Sequence, residues 1–334
     1  MDWEEKYKLG LIEYEDYVLI KQYVERLLAN NMPVIFNLRH LRRILEISKS
    51  EQDYYFGRYK DVLYRKFSLP KKSGGVRIID APIDELKQRQ SWIKRSILDN
   101  IPVSDYACGF VRGKSIVDNA SPHVGKELVI NFDIVDFFPS IKYKDVFKIF
   151  YYVGYNKQVS HLLTKLCVNE FNILPQGAPT SPAISNIVLL KLDKRLSSLS
   201  DCFRCSYTRY ADDITFSGDK SISVLVPIVD KIIQEEGFQV NEKKLRLQYS
   251  NKRQEVTGII VNDKLAISKV KIRELENAIY YSKKYGVEDH MKHIGCYKSF
   301  YKEHLYGLAY FIHMVEPKKG EQYLRELDQL EWYY

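Results

Sequence analysis

Tyr207-Thr-Arg-Tyr-Ala-Asp-Asp-Ile-Thr-Phe-Ser217 decides how the rest of this chain is read. Two β-prone runs, Tyr207 to Tyr210 and Ile214 to Ser217, flank Ala211-Asp212-Asp213, which predicts a β-hairpin with two adjacent carboxylates at its tip. Asp suits turns because its side chain bonds nearby backbone, so an isolated Asp-Asp would signify only a polar turn. A third acid changes that reading. Upstream, Leu128-Val-Ile-Asn-Phe-Asp133 is an apolar run of the kind buried in the middle of a sheet, and it ends in a carboxylate. Crowded carboxylates in a partly dry site raise each other's pKa, so Asp133, Asp212 and Asp213 tolerate closeness best around a hard divalent cation. Magnesium suits this oxygen-only set, with water and substrate phosphates completing its coordination.

At 334 residues, 45% of them hydrophobic, the chain is long enough for two or three compact units with a sizeable core. Lys and Arg number 51 against 43 acids, a net charge of +8 that favours a polyanionic partner, either nucleic acid or a membrane surface. The 26 Tyr interleave with Lys and Arg, which suits stacking on bases as well as packing. No run approaches the roughly 20 apolar residues of a membrane span, and the acidic, aromatic N-terminus lacks a signal peptide's basic and apolar regions, so a cytoplasmic location is expected. The five Cys are odd in number and scattered, which argues against a disulfide framework. Cys202-x-x-Cys205 has no second Cys or Cys/His pair to complete a zinc site.

Taken in order, residues 3 to 30 show helical spacing through Trp3, Tyr7, Leu11, Tyr14, Val18, Tyr23 and Leu27. Asn37 is placed to cap a second helix, Leu38 to Ile47, whose Arg39, His40, Arg42 and Arg43 form a basic face. Phe67 to Asp80 reads as a hairpin turning at Ser-Gly-Gly75, with cations on both arms. Asp84 is placed to cap a helix from Glu85 to about Asp99. Further helices are expected around Tyr143 to Val153, around Val159 to Val168, and from a Thr180 or Ser181 cap to about Leu199. From Leu265 onward the pattern is helical again, rich in Lys, Tyr and His.

A strand ending in Asp, followed by a hairpin Tyr-x-Asp-Asp, resembles the palm of reverse transcriptases, and other motifs extend the likeness over most of the chain. In that family the Phe67 to Asp80 hairpin closes over the incoming nucleotide, which implies that Lys71 or Lys72, with Arg77, grips the triphosphate: a mobile point charge and a planar fork of donors. Gly109-Phe-Val-Arg-Gly-Lys-Ser115 resembles the segment preceding the palm, making Arg112 and Lys114 candidate template-phosphate contacts. Asp133-Ile-Val-Asp-Phe-Phe-Pro-Ser-Ile141 matches the first acidic motif. There Asp133 is the metal ligand, the Ile134 carbonyl a further oxygen, Asp136 structural, and Phe138 the aromatic gate that clashes with a 2′-hydroxyl. One of Phe137 and Phe138 is expected in the core. Leu174-Pro-Gln-Gly177 supplies Gln176 against the nucleotide and Gly177 with no side chain in its way. Gly237-Phe-Gln-Val-Asn-Glu-Lys-Lys244 matches the stretch that places a Lys near the leaving pyrophosphate, with Lys244 the first candidate and Lys243 the second.

Asn119-Ala-Ser-Pro-His123 and Val256-Thr-Gly258 match signatures of one branch, the retron reverse transcriptases. Asn119 and His123 are accordingly candidate RNA contacts, with a structural role for His123 the other reading. The resemblance implies an α/β (α+β) right-hand polymerase fold with fingers, a ferredoxin-like antiparallel palm and a helical thumb. Residues 1–60 would be an N-terminal helical extension, 61–129 fingers, 130–262 palm with fingers helices at about 145–172, and 263–334 thumb. It implies two Mg2+ per active site on Asp133, Asp212 and Asp213, with Mn2+ able to substitute, and dNTPs as substrates. It also implies a cognate structured non-coding RNA copied into a branched RNA-DNA hybrid (msDNA), and a bacterial anti-phage role with a separate effector protein and no membrane. Two alternatives stay open: another bacterial reverse transcriptase of the abortive-infection, diversity-generating or intron type, and a non-catalytic RNA-binding scaffold that kept the palm.

Overall fold

The computed structural model describes residues 3–57, 60–70, 74–295 and 300–332. β1 (Tyr64–Pro70) and β2 (Val76–Pro82) pair antiparallel, from Tyr64 opposite Pro82 to Pro70 opposite Val76. Lys71 and Lys72 lie outside the described residues. β3 (Leu128–Asp133), β4 (Ser206–Tyr210), β5 (Asp213–Gly218) and β6 (Arg246–Tyr249) form a four-stranded antiparallel sheet in the order β4-β5-β3-β6. That order, with the first strand central, is ferredoxin-like. β3 has a neighbour on each side and all six of its residues are buried, which is why its sequence is a continuous apolar run rather than an alternating one.

β7 (Glu255–Val256) and β8 (Ile259–Ile260) make a minimal hairpin. Thr257 and Gly258 join them, with φ of 47° and 86°. Positive φ at both central positions is the two-residue turn whose twist matches the flanking strands; Gly adopts it freely, whereas a β-branched Thr does so at a cost. Val256-Thr-Gly258 is therefore the end of β7 and the turn that follows it.

The chain divides into two compact units. The first comprises Met1–Phe110, Ile134–Arg195 and Lys231–Val240. Its helices include Trp3–Lys8, Tyr14–Ala29, Leu38–Ile44, Asp84–Ser96, Tyr143–Tyr152, Lys157–Cys167 and Ser181–Val188. Several differ from their expected bounds. The first helical run is broken after Lys8, and the Tyr7 ring stacks on Tyr17 at 4.8 Å across the break. Asn37 caps as expected, its Oδ1 accepting from the His40 amide at 3.0 Å, but the helix ends at Ile44, ahead of Glu46 at positive φ. Asp84 sits within the first turn rather than at the cap, where its charge still opposes the helix dipole. The long helix after Pro182 is interrupted at Leu189 and resumes as Leu190–Cys202. Leu86, Ile93, Val159, Leu163 and Leu166 are buried in the core of this unit.

The second unit comprises Val111–Asp133, Leu196–Asp230 and Asn241–Tyr334. It holds the four-stranded sheet and the C-terminal helices Lys269–Tyr285, Val287–His293, Tyr301–Val315 and Pro317–Asp328. Those helices bury Leu275, Ile279, Leu305, Ala309, Ile312 and Leu327 against one another. A separate apolar cluster, Ala120, Val129, Val256, Ile259 and Val261, anchors the β7–β8 hairpin. Among the described residues no helix is long and apolar enough to cross a membrane.

Candidate active site

The β4–β5 hairpin turns on two residues, because Tyr210 pairs with Asp213 and only Ala211 and Asp212 lie between. Ala211 has φ of 56°, a left-handed conformation that costs an L-residue roughly 1–2 kcal/mol. The buried Arg209 donates from Nη1 to the Ala211 carbonyl at 3.1 Å and supports the tight turn. Asp213 thus begins β5 instead of sharing the tip with Asp212. Asp133, the last residue of β3, lies directly opposite Asp213 in the ladder. Cross-strand neighbours of this kind have Cβ atoms about 4.5–5.5 Å apart, so two distant stretches of sequence bring their carboxylates together.

A third segment closes on Asp133 from Asn241-Glu-Lys-Lys244. The Asn241 amide donates to the Asp133 carbonyl at 2.8 Å, and Asn241 Nδ2 to Asp133 Oδ1 at 3.3 Å. A single 3₁₀ turn, Glu242–Lys244, then aims Lys244 Nζ at Asp133 Oδ2, 2.7 Å away. Lys244 is half exposed and Asp133 almost entirely buried, while Lys243 points to solvent. Burial pushes the Asp213 carboxyl up to about 6, with the charges of Asp212 and Asp133 adding to the shift and those of Lys244 and Arg246 opposing it.

The donor set fits a divalent cation. It is built of carboxylate oxygens, and the Asp213 carboxyl, raised first by burial and then by the charges of Asp212 and Asp133, is a group whose charged form a bound cation would favour. Among the described residues no three His, Cys, Asp or Glu side chains already stand as a ready-made cage, and the Lys244 ammonium is the cation engaged with Asp133. Ile134, whose carbonyl was expected as a further ligand, is buried and bridges Val240.

The residues expected at the nucleotide lie in the first unit. Arg77 is exposed on β2 and Gln176 is half-buried. The Gln176 carbonyl accepts from the Asp80 amide at 2.8 Å, so Leu174-Pro-Gln-Gly177 is fastened to the β1–β2 hairpin. Gly177 has φ of 129°, and a Cβ there would stand 3.0 Å from the Asp80 carbonyl oxygen and 3.1 Å from Ile79 Cγ2. Its missing side chain is what lets β2 approach. Phe137 is the core member of its pair; Phe138 is half-buried, with its ring 5.2 Å from Phe137 and 6.3 Å from Phe110.

In the second unit Arg112 is exposed and Lys114 half-buried. Asn119 and His123 are fully buried, so as folded neither presents its side chain to an RNA. Asn119 Nδ2 reaches Thr257 Oγ1 at 3.4 Å, which brings the Asn-Ala-x-x-His and Val-Thr-Gly segments into contact. Sequence reasoning missed Asn241: it lies inside the Gly237 to Lys244 stretch, which was read for its lysines alone. It also missed Arg209, whose charge hides inside a β-prone run.

Residues 69–261 match the family model described as reverse transcriptase (RNA-dependent DNA polymerase). The chain is 35% identical to the retron Ec86 reverse transcriptase of Escherichia coli, covering 92% of this chain and 94% of that protein. To the retron Mx162 reverse transcriptase of Myxococcus xanthus it is 34% identical, over 92% of this chain and 70% of the relative. Among solved structures, telomerase from Candida albicans aligns with a TM-score of 0.43 at 12% identity, over 80% of this chain and 63% of that one. On the sequence matches, this chain belongs to the retron reverse transcriptases, which are RNA-directed DNA polymerases.

Proposed function

We propose that this chain copies part of a cognate structured RNA into DNA at the end of the β3–β5 ladder, with Asp133, Asp212 and Asp213 holding magnesium. The reading rests on one observation: Asp133 and Asp213 are direct cross-strand neighbours, with Asp212 one residue away in the turn. Magnesium bound there supplies positive charge that acidifies a primer hydroxyl and steadies a triphosphate. The chain's own part is positioning and proton handling. Asn241 and Lys244 fix the Asp133 carboxylate, and the Lys244 ammonium is available to give a proton to the departing pyrophosphate. Phe138 excludes ribose by its bulk, Gln176 meets the nucleotide, and Lys71, Lys72 and Arg77 bind its phosphates. Arg112 and Lys114 contact template phosphates.

The product in this reading is a branched RNA-DNA hybrid begun from an RNA 2′-hydroxyl, made in the bacterial cytoplasm as part of an anti-phage system with a separate effector. Its support is membership of the retron branch. Deoxynucleotide incorporation on primed RNA tests the chemistry. Asp212→Asn and Asp213→Ala are expected to lower it by about a hundredfold or more while leaving RNA binding and folding intact. Normal synthesis by either variant would remove the metal assignment. Sequencing the nucleic acid that co-purifies with the protein tests the product: a branched hybrid supports the reading, and bulk cellular RNA opposes it.

A further inference from the structure

His123 is fully buried, and both of its ring nitrogens are engaged. Nδ1 lies 2.6 Å from Ser217 Oγ and Nε2 lies 2.8 Å from Thr208 Oγ1. Thr208 belongs to β4 and Ser217 to β5, so one imidazole links the two arms of the hairpin that carries Asp212 and Asp213. Register places the ring further. Residues two apart on a strand share a face, so Ser217, Thr215 and Asp213 lie on one side of β5, with Thr208 opposite Thr215. His123 therefore sits on the sheet face that leads to Asp213.

The hydroxyl protons fix the tautomer. Thr208 Oγ1 donates its single proton to the Asn119 carbonyl at 3.2 Å, so it accepts from His123 Nε2–H. Nδ1 is then the acceptor and takes the Ser217 hydroxyl proton. Burial, with the charge of Lys126 adding to it, holds the ring neutral, its pKa down at about 3. The same face continues through Asn131, which donates to Thr215 Oγ1 at 3.1 Å and accepts from Gln248 Nε2. Asn119 extends the network in the other direction, to Thr257.

We infer that His123 is a positioning residue for polymerisation: bridging Thr208 and Ser217, it holds the Asp212–Asp213 hairpin in register against Asp133. Asn-Ala-x-x-His and Val-Thr-Gly are then two parts of one internal brace behind the carboxylates rather than a surface for RNA. His123 touches no reacting atom. A misplacement of the carboxylates by a fraction of an ångström weakens their hold on metal and slows chemistry without touching nucleotide recognition.

This inference rests on the assignment of the three Asp. It is tested by single-nucleotide incorporation on primed RNA, measuring kcat, KM for dNTP, the Mg2+ concentration for half-maximal rate, RNA affinity and the unfolding midpoint. His123→Leu removes both bonds, Ser217→Ala removes one, and His123→Gln keeps one donor and one acceptor on the same side chain. Expected for His123→Leu is a kcat lower by about 10- to 100-fold and a half-maximal Mg2+ concentration raised by about threefold or more, with dNTP KM and RNA affinity within about twofold of wild type. Ser217→Ala shows the same pattern to a smaller degree, adds little to His123→Leu in the double variant, and His123→Gln recovers most of the rate. Wild-type kcat and Mg2+ dependence per folded molecule in Ser217→Ala and His123→Leu would overturn the inference and leave a purely structural histidine. Loss of RNA affinity with kcat intact at saturating RNA would overturn it in favour of an RNA contact. If His123→Leu does not fold, Ser217→Ala and His123→Gln decide by the same readouts. Activity retained by Asp212→Asn would instead defeat the metal assignment, an outcome distinct from any of these.

Discussion

Asp213 is the residue on which the electrostatics of the site concentrate. A carboxyl whose folded-state pKa rises from an ordinary 3.8 to about 6 is held less well when charged than when neutral. Its benefit to folding is therefore intact below about pH 3.8 and lost as pH rises through about 6. At neutral pH, without metal, ionised Asp213 costs the fold on the order of 2–3 kcal/mol. Asp213→Asn in the presence of a chelator should accordingly raise the unfolding midpoint at pH 8 and leave it unchanged at pH 4. Equal midpoints at pH 8 would mean that burial, with the neighbouring acids, does not penalise the charged Asp213 carboxylate. The same residue shows the limit of motif reading: Asp-Asp was visible as a pair, but only the ladder separates Asp213, opposite Asp133, from Asp212 in the turn.

At the scale of elements, turn chemistry sets the geometry. The β1–β2 hairpin is fastened to Leu174-Pro-Gln-Gly177 through the Asp80 amide and the Gln176 carbonyl, and Gly177 provides the room for that approach. A Cβ at Gly177 would meet strained backbone and the Asp80 carbonyl at once. Gly177→Ala should cost about 1–3 kcal/mol in chemical denaturation, whatever its effect on nucleotide binding. A variant as stable as wild type would show that β2 can shift at no cost. Helix and strand types were legible because apolar spacing encodes them locally. Their ends were less so: Leu189 interrupts a helical run that the sequence continues, and Tyr7 stacks on Tyr17 where one helix was expected.

For the whole molecule, the excess of eight positive charges points to a polyanion, and membership of the retron reverse transcriptases makes RNA the proposed one. Binding dominated by phosphate contacts releases counterions and weakens with salt. Affinity for primed RNA should therefore fall at least about tenfold between about 50 and 200 mM salt. The unfolding midpoint should barely move, because the buried clusters of the two units are apolar. A flat salt response would assign recognition to stacking and base contacts instead.

The sequence by itself determined the class of fold and singled out the three candidate acids, because an apolar strand ending in Asp133 and a Tyr-x-Asp-Asp hairpin are local patterns that survive without coordinates. It also identified Lys244 as a candidate. Only the tertiary structure decided which groups meet: Asn241 and Lys244 on Asp133, and His123 between Thr208 and Ser217 rather than on the surface. The reason is that strand pairing and burial join residues some eighty to more than a hundred positions apart, and a side chain's partners follow from that pairing, not from its neighbours in sequence.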